Sequence, residues 1–173
     1  MVLKRNLYIA LLGGKHAHAN VEVHDVIPVI CTDIYAAFPY LKQRWFGLAS
    51  GLHLDAWMKI DGVSYQGINY KIEIQPTAPV NQTLKLFLVN LGAYLPNQFG
   101  EIHKYLIVAG KDKADAKVQG KLAIEQQWFK PHTDAIVDVD DCLELNMFSQ
   151  DFIHLLEADF EDNIYKNDYV LIK

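Results

Sequence analysis

The feature of this sequence that most constrains its fold is a pair of motifs that occurs twice along the chain. The motif Glu-x-His stands at Glu22 and again at Glu101, and the motif His-x-Asp stands at His53 and again at His132. Both repeats have the same offset, because 101 − 22 and 132 − 53 both equal 79. Chance rarely keeps one offset over two separate motifs, so the sequence predicts two copies of one folding unit.

The first copy contains signals for four strands and one helix. Apolar runs and alternating patterns predict strands over 7–12, 21–31, 52–60 and 70–74 and a helix over 33–45. Asp33 is the predicted N-cap, because its carboxylate can accept an unpaired amide of the first helical turn. Pro39 lies inside the helical pattern and predicts a kink or a late start. Asp61-Gly62 is typical of a turn and predicts the connection between the last two strands.

These elements predict an α+β fold, an internal duplication of a ββαββ unit in a pseudo-two-fold arrangement. The first repeat is expected over 1–75 and the second over 84–173, and a polar, proline-bearing linker separates them. The second repeat carries an insertion near 148–163, where the apolar spacing indicates at least one helical turn. The chain is long enough for one compact domain or two very small ones, and we expect the two repeats to pack as one compact domain.

Charge and hydropathy argue against two classes of partner. The chain has 16 basic and 21 acidic residues and a net charge of −5. Nucleic-acid binders usually carry a basic surplus, because neutralising phosphates supplies much of their affinity, so we expect no nucleic-acid partner. No apolar stretch approaches the roughly 18 residues that a membrane span requires, so we expect no membrane partner.

The N-terminal apolar run and the cysteine content bear on localisation. The run over 7–12 resembles part of a signal peptide, but a similar run occurs at 86–91, inside the chain. A segment that recurs inside the protein is expected to be a structural strand rather than a removable leader. Two thiols, Cys31 and Cys142, are typical of a reducing compartment. The sequence therefore predicts a cytoplasmic protein.

The two motifs of each copy should place four polar side chains close together. Residues i and i+2 of a strand point to the same face, so Glu22 should lie beside His24, and His53 beside Asp55. If the second and third strands are neighbours, two imidazoles and two carboxylates converge. The same reasoning applies to the candidate residues of the second copy, which are Glu101, His103, His132 and Asp134.

Three kinds of chemistry would use such a cluster. His24, His53 and Asp55 are suitable ligands for a divalent transition metal. Together with Glu22 they also suit acid–base catalysis, because a carboxylate beside an imidazole fixes its tautomer. The third interpretation is a structural polar network that fixes strand register. We favour the network on sequence grounds, because both copies keep the motifs, whereas duplicated catalytic sites usually decay in one copy.

Five short segments of the first copy carry a family resemblance: Gly13-Gly14, Glu22-Val23-His24-Asp25, Trp45-Phe46-Gly47, His53-Leu54-Asp55-Ala56 and Asp61-Gly62. In this order they resemble the bacterial family called Domain of Unknown Function 1543. The resemblance covers most of residues 7–63 and, more loosely, 86–140. It implies a small cytoplasmic bacterial protein that carries one or two copies of the domain, and it implies no established activity or catalytic residue.

A second resemblance is to the two-histidine phosphoesterases, which have two related α+β lobes with one histidine strand motif each. His53 and His132 occupy comparable places. Asp55 and Asp134 stand where that family has Thr or Ser, and a carboxylate would repel the phosphate that a hydroxyl group should bind. We therefore rank this resemblance below the first.

The sequence supports two functional hypotheses of different classes. The first is a small soluble bacterial module, built around the structural network, that binds a small ligand of unknown identity or self-associates through a sheet edge as a homo-oligomer. The second is a metal-dependent or acid–base enzyme centred on the first-copy cluster.

Overall fold

The computed structural model describes residues 4–94, 99–127, 136–148 and 150–173. The strands are β1 (Asn6–Gly14), β2 (Val23–Cys31), β3 (His53–Ile60), β4 (Gly62–Tyr65), β5 (Ile68–Gln75), β6 (Lys85–Tyr94), β7 (Ile102–Gly110), β8 (Ile136–Glu144), β9 (Met147–Phe148), β10 (Asp151–Glu157) and β11 (Ile164–Leu171). The helices are α1 (Phe38–Arg44) and α2 (Lys113–Gln127), and a 3₁₀ turn over Ile34–Ala37 precedes α1.

The predicted α+β fold, a duplicated ββαββ unit, is wrong, because strands dominate the structure. Within the described ranges, three sheets hold eleven strands, and two α-helices accompany them. The insertion predicted to contain a helical turn forms the strand β10 instead. Its buried apolar residues are Ile153 and Leu155, and a spacing of two places both on one face of a strand.

The chain forms two compact units, and residues 1–62 with 161–173 make up the first. Its sheet has the strand order β11-β3-β1-β2. The strand β1 lies between β2 and β3 and is antiparallel to both. One face packs against α1, where Leu12, Leu41 and Leu54 are fully buried. Burial of one such leucine contributes about 2 kcal/mol.

The start of the helical segment follows from two residues. The side chain of Asp33 accepts a hydrogen bond from the Tyr35 amide at 2.9 Å, as expected of an N-cap. The 3₁₀ turn comes first, and α1 begins only at Phe38 with Pro39 in its first turn. A proline is tolerated there, because an amide in the first turn has no helical partner. The predicted late start at Pro39 is therefore confirmed.

The turn predicted at Asp61-Gly62 is not the hairpin turn. The β4–β5 hairpin turns at Gln66 and Gly67, whose φ angles of 50° and 82° suit a tight hairpin loop. Asp61 is buried instead, and its Oδ2 accepts a hydrogen bond from the Glu161 amide at 3.0 Å. This contact attaches the segment that leads into β11 to the end of β3.

The second unit comprises residues 63–160. It contains a sheet of order β4-β5-β10-β9 and a sheet of order β7-β6-β8, against which α2 packs. Asp112 caps α2 by accepting a hydrogen bond from the Asp115 amide at 2.9 Å. No helix in the described part of the chain combines the length and the apolar character that crossing a membrane requires.

Candidate metal centre

The four site residues predicted in the first copy meet at one end of the first sheet. Gly13 near the end of β1 pairs with His24 of β2 on one side and with His53 of β3 on the other. Glu22 lies immediately before β2, two residues from His24. We call Glu22, His24, His53 and Asp55 the first cluster.

Asp55 reaches this cluster through a β-bulge. Leu11 pairs with Ala56 and Leu12 pairs with Leu54, so Asp55 has no partner in β1. A bulge of this kind bends the strand and redirects side chains, and bulges often lie beside functional sites. The bulge places the Asp55 carboxylate between the two imidazoles.

The first cluster is a ring in which imidazoles and carboxylates alternate. The Nε2 atom of His53 lies 3.2 Å from Asp55 Oδ1 and 3.3 Å from Glu22 Oε1. The Nε2 atom of His24 lies 3.3 Å from Asp55 Oδ2 and 3.7 Å from Glu22 Oε2. Each carboxylate therefore bridges both histidines.

The ring is buried on one side and open on the other. The side chain of His53 is 3% exposed and that of Asp55 is 25% exposed, whereas His24 and Glu22 are close to half exposed. His53 is thus held by the fold, and the outer pair retains freedom to move.

Hydrogen bonding leaves the ring with a surplus of acceptors. The Nδ1 atom of His53 lies 2.8 Å from the carbonyl oxygen of Gly51, which can only accept, so Nδ1 carries the proton. In the neutral imidazole, Nε2 then presents a lone pair to two carboxylate oxygens. Asp55 Oδ2 is buried and accepts no hydrogen bond, although His24 Nε2 lies 3.3 Å away. A bound cation would satisfy these acceptors together.

Glycine is required at position 13 by the space that the ring occupies. A Cβ atom there would overlap Asp55 Oδ2 and lie 2.6 Å from His53 Nε2. Sequence reasoning noted Gly13 within the Gly-Gly pair but missed its role. The available signal was a Gly-Gly pair at the end of a fully apolar strand, followed closely by Glu-x-His.

A second cluster lies at the same register of the second unit. Gly92 of β6 pairs with His103 of β7, and a bulge leaves Asp140 without a partner in β6. His103 Nδ1 lies 3.2 Å from Asp140 Oδ2, and His103 Nε2 lies 3.9 Å from Glu101 Oε2. Within the described residues, one ligand atom from each of Glu101, His103 and Asp140 lies within 4.8 Å of the other two.

Sequence reasoning missed Asp140 because the offset of 79 assigned the place of Asp55 to Asp134. In the β6–β8 ladder, Asp140 is the bulged residue, as Asp55 is in the β1–β3 ladder. Gly92 pairs with Asp138 in the same way that Gly13 pairs with His53. The constant offset of 79 therefore does not hold beyond the helix. The longer α2 shifts the register. The sequence carries a sign of this change, because Trp128-Phe129 follows Trp45-Phe46 at an offset of 83 (128 − 45) rather than 79.

Two second-copy candidates remain, and a further residue, Asp138, occupies the position of His53 in the second sheet. His132 and Asp134 lie outside the described residues. Asp138, at the position of His53, is exposed, and Lys121 Nζ lies 3.1 Å from its Oδ1. The Val139 amide and Lys121 donate to this carboxylate and hold its pKa below the usual range. Among the described residues, the second cluster thus has one histidine where the first cluster has two.

The comparisons with known proteins agree with the predicted resemblance. Residues 19–74, which contain the whole first cluster, match the model of the family described as Domain of Unknown Function (DUF1543). The match ends at residue 74, and a second tandem copy of this family stays a prediction. No curated protein matches the chain. A solved structure, described as the crystal structure of a protein Il1583 from Idiomarina loihiensis, is similar over 98% of this chain and 99% of that chain, with 25% identity and a TM-score of 0.73.

Proposed function

We propose that the first cluster binds a divalent transition-metal ion. Two imidazole nitrogens and one or two carboxylate oxygens form a ligand set that suits zinc and its neighbours. The observation that carries the proposal is the position of His53 Nε2, which is buried between two carboxylate oxygens at 3.2 and 3.3 Å while Nδ1 donates elsewhere.

The surroundings of His53 are those of a metal ligand. Ligating histidines usually donate their second ring nitrogen to a carbonyl or carboxylate, which fixes the ring and its tautomer. The Gly51 carbonyl provides this contact. A self-contained structural network would need a well-directed donor for each buried acceptor, and Asp55 Oδ2 accepts no hydrogen bond, its nearest imidazole nitrogen being His24 Nε2 at 3.3 Å. These two features favour a metal site over the network.

Binding requires a small closure of the ring. Neighbouring nitrogen and oxygen atoms are 3.2 to 3.7 Å apart, close to the roughly 3.4 Å between ligands of a tetrahedral ion with bonds of about 2.1 Å. Within the described residues, however, it is the second cluster and not the first in which ligand atoms of three residues all lie within 4.8 Å of one another. The half-exposed side chains of Glu22 and His24 must therefore swing inward around an ion.

The open side of the ring determines what the bound metal can do. A closed structural site has four protein ligands, whereas a catalytic site keeps one position for water or substrate. Glu22 and His24 face solvent, so a small molecule can reach the ion from their side. This access supports the metal-dependent enzyme considered from the sequence over a purely structural metal. Self-association through a sheet edge stays a separate prediction.

A metal titration of the untagged chain tests the proposal. The protein is treated with a chelator, dialysed, and titrated with Zn²⁺ by calorimetry and with Co²⁺ by visible absorption. We expect one tight site with a cobalt spectrum of nitrogen and oxygen ligands, and weak binding of Mg²⁺, which prefers oxygen ligands alone. The absence of saturable Zn²⁺ and Co²⁺ binding would refute the proposal. Zn²⁺ binding that keeps its wild-type affinity after replacement of both His24 and His53 by alanine would also refute it.

A further inference from the structure

We propose that Tyr169 forms an aromatic wall of the metal site and slows release of the bound ion by stacking on His53. This inference rests on the proposed function. It adds a residue from the far end of the chain that no motif predicted. The centroid of the Tyr169 ring lies 4.4 Å from that of His53, with an angle of 35° between the ring planes.

An irregularity of the β3–β11 ladder places Tyr169 there. Asn167 pairs with Ala56 and Val170 pairs with Leu54, so two residues of β11 face the single residue Asp55. Asp55 is also the bulged residue in the ladder with β1. The first cluster therefore lies where two neighbouring ladders are both irregular, which is how a sheet redirects side chains toward a site.

The other residue in this irregular stretch is held in place. Asp168 Oδ2 accepts a hydrogen bond from the Tyr35 hydroxyl at 2.6 Å and lies 3.2 Å from Lys166 Nζ. Tyr35 belongs to the 3₁₀ turn before α1. Because Asp168 is anchored to that turn, the adjacent Tyr169 is oriented toward His53.

The stacking favours the metal-bound state for an electrostatic reason. Metal coordination draws electron density from the imidazole and gives the ring positive character. The face of an aromatic ring attracts positive charge, so Tyr169 stabilises a metal-bound His53 more than a free one. Tyr169 itself is 68% exposed, whereas the His53 side chain beside it is 3% exposed. An exposed aromatic ring over a buried ligand is suited to controlling release.

Metal release to an excess of a coloured chelator measures this effect. The zinc-loaded chain is compared with Tyr169→Ala, Tyr169→Phe and Asp168→Asn. The matched control is Tyr165→Ala, which removes a similarly exposed tyrosine from the same strand. Thermal unfolding of each metal-free variant reports its folding. We expect Tyr169→Ala to release zinc about tenfold faster, Tyr169→Phe and Tyr165→Ala to match the wild type, and Asp168→Asn to lie between.

The outcomes separate this inference from the proposed function. If the wild-type chain binds no zinc, both are overturned. If it binds zinc but Tyr169→Ala releases the ion at the wild-type rate, the aromatic wall is overturned and the metal site stands. If Tyr169→Phe releases zinc as fast as Tyr169→Ala, the hydroxyl group is responsible, and stacking is overturned in favour of the phenol oxygen as a ligand.

Discussion

Gly13 and His53 pair directly across the β1–β3 ladder, and the imidazole lies over the glycine, so that a Cβ at position 13 would be 2.6 Å from His53 Nε2. The same Cβ would overlap Asp55 Oδ2. The bare backbone of Gly13 is thus part of the site, because it leaves the space in which the buried half of the ring lies.

Replacing Gly13 by alanine should damage the site without removing any ligand. The added methyl group must displace His53 or Asp55, so we expect zinc affinity to fall by about 10- to 100-fold, as when a ligand loses its orientation. Overpacking should also lower the free energy of unfolding by about 1–3 kcal/mol. The matched control is Gly92→Ala, which creates a comparable overlap in the second cluster, with the carboxylates of Glu101 and Asp140. Wild-type zinc affinity in Gly13→Ala would show that the ring is not the site.

The two histidines should differ in what their removal costs. His24→Ala removes a half-exposed ligand, so zinc affinity should fall at least about 10-fold while the free energy of unfolding changes by less than about 0.5 kcal/mol. His53→Ala should lower zinc affinity too. Because it also removes a buried ring and leaves the Gly51 carbonyl without its donor, it should lower the free energy of unfolding by about 2 kcal/mol. Calorimetry and urea unfolding of the metal-free variants measure both quantities. Equal stability losses would contradict the separation of an outer and an inner ligand.

Asn163 should be one of the residues on which the first unit depends most. Its Oδ1 accepts hydrogen bonds from the Asp61 and Gly62 amides at 2.7 and 3.2 Å, and its Nδ2 donates to the Gly62 carbonyl at 2.9 Å. Asn163→Ala leaves these partly buried backbone groups unpaired and should lower the free energy of unfolding by about 2 kcal/mol. Asn167→Ala, on the exposed face of β11, serves as the control. Identical denaturation midpoints of the two variants would argue against this role.

Cys31 should be a slow nucleophile at neutral pH. Burial, together with the nearby Asp33 carboxylate, raises the pKa of its thiol to about 11 from the usual 9.0. The reactive thiolate is therefore about a hundredfold scarcer at pH 8 than in an unfolded chain. Alkylation by iodoacetamide in the Cys142→Ser background should be slower than in urea by about this factor and should speed up roughly tenfold per pH unit up to about pH 10. An alkylation rate in the folded chain equal to that in urea would contradict the raised pKa of Cys31.

The sign of the linked stability change follows from the same shift. The folded-state pKa of Cys31 is raised, so the neutral thiol is favoured by folding. The contribution of this thiol to the free energy of unfolding is fully present below the pKa of Cys31 in the unfolded chain. It is lost as the pH rises from about 9 toward about 11. Alkaline unfolding of Cys31→Ser should therefore begin at a higher pH than that of the parent chain.

Local sequence patterns predicted those features that depend on near neighbours. The apolar run of β1, the cap at Asp33 and the late helix start at Pro39 need only a few adjacent residues to be recognised. The same holds for Glu22 with His24, which stand two residues apart in the sequence. The spacing also pointed to His53 with Asp55, but the position of the Asp55 carboxylate depends on the bulge. The α+β prediction failed because the apolar spacing near 152–156 suits a helical turn and a strand equally well over so short a stretch.

The sequence by itself determined which residues could form the cluster, and the tertiary structure alone decided how they are arranged. Asp55 and Asp140 occupy their sites through bulges, and a bulge depends on the partner strand rather than on the residues it contains. Tyr169 reaches His53 because β11 pairs with β3 across more than a hundred residues of chain. Pairing at such separation is set by the packing of the whole sheet, which leaves no periodic signal in the sequence around either residue.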